Sequence, residues 1–110
     1  MTYPEDQEVE YIRSMIRRDK RFAVQVFRRI WDAQQPIEKF TGEYAGSDGG
    51  RGFKANETRY WNDFYDRFED TGRLTSDEIG VLQKGMVQYA RQYYRLTRER
   101  AIEAKERIGA

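Results

Sequence analysis

The chain of 110 residues has no cysteine and no histidine. Their joint absence excludes disulfides, thiolate nucleophiles, imidazole acid–base chemistry and structural zinc, and leaves oxygen atoms as the only ligands for a metal. There is no nucleophile–base pair and no cofactor fingerprint, so neither enzymatic activity nor a cofactor is expected, and no metal site is assigned. No apolar run approaches the ~20 residues of a membrane span. Met1 to Glu10 is acidic, unlike a signal peptide. A soluble, cytoplasmic protein without membrane contact is the expectation. A charge excess of one sign is missing as well: the formal net charge is +1, which gives no whole-molecule attraction to nucleic acid.

What the chain does have is rings and charges. Aromatics make up 15%, apolar residues 38% and charged residues 35%. The length suits one domain, with a core built from a few large rings, and such ring content argues against disorder. Pro4 suits the first turn of a helix, and Glu5 and Asp6 behind it complement the helix dipole. Val9, Ile12, Ile16, Ala23, Val26 and Ile30 keep a 3-4 spacing if Asp19 fills the gap between Ile16 and Ala23. Either one helix spans Pro4 to Gln34 with a polar interruption, or two helices meet near Asp19, which caps the second. Phe22 and Phe27 widen the apolar face of the second half and favour the break.

Pro36 ends this region, and 36–55 reads as a loop holding five of the nine glycines. Ile37, Phe40, Tyr44 and Phe53 are the residues that could pin its ends to the core. An aromatic helix is expected over 56–72, with Asn56 as N-cap, Gly72 as left-handed C-terminal residue, and Tyr60, Trp61, Phe64, Tyr65 and Phe68 on one face. A longer helix is expected over 75–108. Thr75 and Glu78 make a capping box, Leu74 and Ile79 a hydrophobic staple. Its core line is Ile79, Leu82, Met86, Tyr89, Tyr93 and Leu96, the seam spacing of antiparallel helices. Gly85 beside Met86 suggests close approach of a ring from the aromatic helix. Residues 98–107 read as a solvated extension.

Two groups of cations stand out. Lys84, Arg91, Arg98 and Lys105 are seven apart on the last helix, with Arg95 and Gln88 between them, and could each neutralise a phosphate. A solvated face favoured by the helix dipole explains the same residues. The second group is Arg13, Arg17, Arg18, Lys20, Arg21, Arg28 and Arg29, which could join the first as a split phosphate-binding surface or pair with Glu10, Asp19 and Asp32. Gly46 to Gly52 lacks the ending of a nucleotide P-loop; Arg51 and Lys54 could still reach a partner. Asp63, Asp66 and Asp70 lie opposite the rings and read as solvated. Most rings read as core, with Tyr94 as a possible exposed contact.

Phe64-Tyr65-Asp66-Arg67-Phe68-Glu69-Asp70-Thr71-Gly72-Arg73-Leu74-Thr75-Ser76-Asp77-Glu78, continued by Tyr89-Ala90-Arg91-Gln92-Tyr93, resembles a pattern of small uncharacterised bacteriophage and plasmid proteins. In these an aromatic helix is followed by Gly-Arg-Leu-Thr/Ser-x-x-Glu/Gln and a second helix. The resemblance covers about a third of the chain. It implies a phage or mobile-element origin and carries no activity or site residue.

These features define an all-α domain: a three- to four-helix bundle with a long C-terminal helix and a glycine-rich loop between the amino-terminal region (1–35) and the C-terminal hairpin. The functional expectation is a small non-enzymatic protein engaging nucleic acid or a nucleoprotein through Lys84, Arg91, Arg95 and Arg98, aided by Arg17, Arg18, Lys20 and Arg21. The alternative is a protein-binding inhibitor or adaptor, such as an anti-CRISPR or anti-restriction protein blocking a host nuclease complex. A homodimer is compatible with either.

Overall fold

Pro4 opens helix α1 (Pro4–Arg18) in the computed structural model, which describes residues 4–34 and 52–109. Asp19 adopts an extended backbone (φ −124, ψ 106), which stops α1. Its carboxylate accepts from the amides of Arg21 at 2.9 Å and Phe22 at 3.3 Å, starting α2 (Lys20–Asp32). Of the two arrangements open in the sequence, the chain adopts the broken one. Val9, Ile12, Ile16, Ala23, Val26 and Ile30 are all buried, so the 3-4 spacing carries across the break.

Helix α3 (Thr58–Thr71) begins two residues after Asn56, and the expected Asn56 cap is corrected. Glu57 holds the N-cap position without a side-chain capping bond. Its carboxylate is drawn away by donors from elsewhere: Trp61 Nε1 at 2.8 Å, Gln88 Nε2 at 2.8 Å and the Tyr89 hydroxyl at 3.3 Å. Gly72 closes α3 with φ 64, a left-handed value glycine adopts freely, and its N–H reaches the Phe68 carbonyl at 2.7 Å.

Helix α4 (Ser76–Met86) starts with the reciprocal bonds of the capping box. The Glu78 amide donates to Thr75 Oγ1 at 3.1 Å, and the Thr75 amide to Glu78 Oε1 at 3.0 Å. These bonds, the Thr75 amide first, hold the Glu78 carboxyl below its ordinary value. The expected single helix over 75–108 is also corrected: a 3₁₀ turn at Val87–Tyr89 separates α4 from α5 (Ala90–Gly109). Met86, Val87 and Ala90 keep right-handed helical angles, so the course continues through a tightened turn. The turn follows Gly85, where the Trp61 ring fills the space a Cβ would take.

Among the described residues the fold is an all-α bundle. Helices α1, α2, α4 and α5 lie directly against one another. Helix α3 joins them through rings centred on Phe27, which meets Phe53, Trp61, Phe64 and Tyr65 at centroid distances of 5.5–6.0 Å. Burying a ring of ~200 Å² is worth up to ~5 kcal/mol, against ~1 for a capping bond, so the rings and not the caps hold α3. Leu82, Met86, Tyr89, Tyr93 and Leu96 are buried as the seam requires, and Ile79 is half-buried. Phe53 is buried and pins its end of the connection, whereas Ile37, Phe40 and Tyr44 lie outside the described residues, as does most of the 36–55 loop. Nearby, a buried amide pair joins Gln34 and Asn62 (3.0 and 3.2 Å), and the Gln92 amide grips both backbone groups of Gly52 (2.7 and 2.9 Å).

Candidate nucleic-acid interface

The corner between α1 and α2 carries four cations within five positions, Arg17, Arg18, Lys20 and Arg21, all exposed. Arg17 and Arg18 occupy the last turn of α1, where the dipole favours positive charge. Lys20 and Arg21 sit in the first turn of α2, where it disfavours it, and no acidic residue shares that turn. Folding alone gives no reason for these two to be basic. Asp19, the only acid between Ser14 and Gln25, is committed to capping.

A long-range bond brings α4 to this corner. Gln83 Nε2 donates to the carbonyls of Ile16 at 3.1 Å and Arg17 at 3.2 Å, satisfying groups that the end of α1 leaves open. Lys84 follows Gln83 in sequence, so this bond brings its stretch of α4 to the end of α1. Arg17 and Lys84 line one open cleft of about 500 Å³ with Gly80 and Val87. None of Arg17, Arg18, Lys20, Arg21 or Lys84 forms an ion pair among the described residues.

The rest of the basic line on the last helix has a different setting. Arg91 spans to α1, with Nη1 at 2.7 Å from Glu5 and Nη2 at 2.7 Å from Asp6. Both carboxylates, the Asp6 hydrogen bond first, hold its guanidinium still more firmly protonated than usual. Arg95 approaches Glu5 at 3.5 Å. Arg98 donates to the Tyr94 hydroxyl at 3.1 Å and lies over its ring, so half-buried Tyr94 is covered by its own helix. The acidic start of α1 thus divides the line, leaving Lys84 with the corner and Arg98 and Lys105 on the exposed end of α5. No protein-family model, curated protein or solved structure matches the chain.

Lys54 is engaged too, its Nζ at 2.6 Å from Gln88 Oε1 and over the Tyr89 ring. Arg51 lies outside the described residues. Gln88, between basic residues on the wheel, belongs to the Glu57 network. Burial there, followed by the Glu57 charge, pushes the Tyr89 hydroxyl well above its usual range. Arg13 pairs with Glu10, and Arg28 lies 3.8 Å from Glu69. Asp63, Asp66 and Asp70 are exposed, and the described residues contain no cluster of acidic side chains able to hold a metal. No helix among them is long and apolar enough to cross a membrane. Of the residues that hold the cations in these settings, Glu5 and Asp6 are legible in the sequence only as dipole partners of their own helix, and Gln83 only as a polar residue.

Proposed function

We propose that the protein binds nucleic acid, alone or within a nucleoprotein, through the α1–α2 corner. The observation behind this reading is that Arg17 and Lys84 line one cleft, and that neither they nor Arg18, Lys20 and Arg21 beside Arg17 in sequence form an ion pair among the described residues. Five exposed cations on three packed helices offer a phosphate backbone several contacts, each releasing a counterion. The expected mode is backbone contact with little sequence preference, because the corner presents charge and no exposed ring among its five residues. Fluorescence polarisation with labelled single- and double-stranded DNA and RNA across a salt series tests this. Binding should weaken as salt rises, with a slope that falls by about one for each phosphate contact removed. Reversal of Arg17 and Lys84 together (R17E, K84E) should abolish it while the helical circular dichroism is kept. Absence of binding at low salt removes the proposal.

A second reading, a protein-binding inhibitor or adaptor such as an anti-defence protein of phage origin, is supported by large apolar residues left in solvent. Tyr11 is 60% exposed, and Val81, one turn before Lys84 on α4, is 43% exposed. Exposed apolar residues beside charge suit a protein partner better than a phosphate chain. Under this reading V81E disrupts partner capture, whereas the R17E, K84E pair only slows association.

A further inference from the structure

We propose that the groove between α2 and α5 is a receptor for a single phosphate group, carried by a small phosphate monoester. This site is separate from the α1–α2 corner and does not depend on the reading given to it. Three arginines, Arg28, Arg29 and Arg100, line the groove with one acid, Asp32. Its volume is about 270 Å³, below the range of drug-sized pockets and suited to a phosphate with a small substituent. The guanidinium fork matches the oxygens of a tetrahedral dianion and donates to two at once.

The wall of the groove supplies a further donor. Tyr93 is only 9% exposed, and its hydroxyl oxygen accepts from Gln25 Nε2 at 2.7 Å. The hydroxyl proton has no acceptor among the described residues, although the residue lines the groove. Because the oxygen accepts from Gln25 and the residue lines the groove, the hydroxyl proton is available to a ligand oxygen there. Of the arginines, Arg29 is the one held across the groove before any ligand arrives. Arg29, half-buried, reaches across to the Leu96 carbonyl at 3.5 Å. Arg28 rests over the Phe68 ring at 5.0 Å, and its 3.8 Å separation from Glu69 is a loose pairing that a dianion can replace. Arg100, exposed on α5, has no ion pair among the described residues and is free to close over the ligand. Asp32 opposes a bare anion but accepts from a hydroxyl on the group that carries it, which is the reason for placing an ester and not the free ion here.

Heteronuclear NMR of the arginine side-chain N–H groups and the Tyr93 ring, on the full chain, tests the site. The probes are glycerol 3-phosphate and inorganic phosphate, titrated at constant ionic strength with chloride as control. Saturable shifts confined to Arg28, Arg29, Arg100 and Tyr93 are expected, with the ester binding more tightly. Tighter binding of inorganic phosphate assigns the same site to the free ion and overturns the role given to Asp32. R100Q, at an exposed position that leaves folding intact, should weaken binding by about tenfold, the scale of one charge-assisted pair. K84E should leave it unchanged. Shifts that do not saturate, that chloride reproduces, or whose titration midpoint is unchanged in R100Q overturn the proposal.

Discussion

Gly80 and Gly85 lie five residues apart in α4, and their surroundings give the same substitution opposite signs. A Cβ at Gly80 meets nothing within 4 Å, while one at Gly85 would overlap the six-membered ring of Trp61. Alanine in an open helix interior is favoured over glycine by ~0.8–1 kcal/mol. Overpacking a buried ring costs ~1–3 kcal/mol, and Trp61, wedged against Phe27 and Phe64 and bonded to Glu57, has little room to move. Gly80→Ala should therefore stabilise the protein by up to ~1 kcal/mol, and Gly85→Ala should destabilise it by up to ~2 kcal/mol after the helix gain is subtracted. Urea unfolding of the two variants checks both signs, and a stabilising Gly85→Ala would show that Trp61 is not fixed against α4. The glycine itself is a sequence signal of close approach; that the ring is Trp61 and not its neighbour Tyr60, which stays half exposed, is decided by packing.

The elements were legible where their ends carry local chemistry and illegible where a distant group intervenes. Thr75 with Glu78, Asp19 and Gly72 act within four residues of themselves, so their patterns announce the boundaries they set. Asn56 fails as a cap because Glu57 answers to Gln88 and Tyr89, more than thirty positions away. The 3₁₀ turn in the last helical stretch has no breaker residue, and heptad spacing runs straight through it. The same limit applies to the tie between α1 and α5. Glu5 and Asp6 read as dipole partners of their own helix, yet they hold Arg91, 86 and 85 positions later. Because these side chains are more than a third exposed, the clamp has only the modest strength of a surface pair and is screened by salt. A double-mutant cycle pairing E5Q, D6N with R91Q should give favourable coupling at low salt that shrinks towards zero at ~1 M, where the screening length falls to ~3 Å. Coupling that survives high salt would mean that desolvation, not surface charge, governs the contact. Under the proposed function, E5Q, D6N should also tighten nucleic-acid binding by releasing Arg91 and Arg95.

At the scale of the whole molecule, which cations are present is plain from the sequence, and which are free is not. A net charge of +1 conceals an amino end that neutralises the middle of one basic line while the α1–α2 corner keeps its charge. The Gln83 bond to the end of α1 and the cleft shared with Arg17 place Lys84 with that corner. Within the extension 98–107, read as solvated, Arg100 lines the α2–α5 groove, and the side chains described beyond it are exposed. Positions 101, 102 and 104–106 are all exposed, Ile102 at 53%, so this stretch buries little apolar surface and contributes little to stability. A helix of this length is marginal in water by itself, since most helical stability comes from packing. Removing residues 101–110 should therefore shift the melting temperature by less than ~4 °C, the shift that corresponds to ~1 kcal/mol in a domain of this size. Hydrogen exchange should agree, with amides after Arg100 exchanging near the free-chain rate and those from Tyr89 to Leu96 protected. A larger loss on truncation, or protection that continues past Arg100, would show that the end of α5 is covered in solution, and a second copy of the chain would then be the first partner to test.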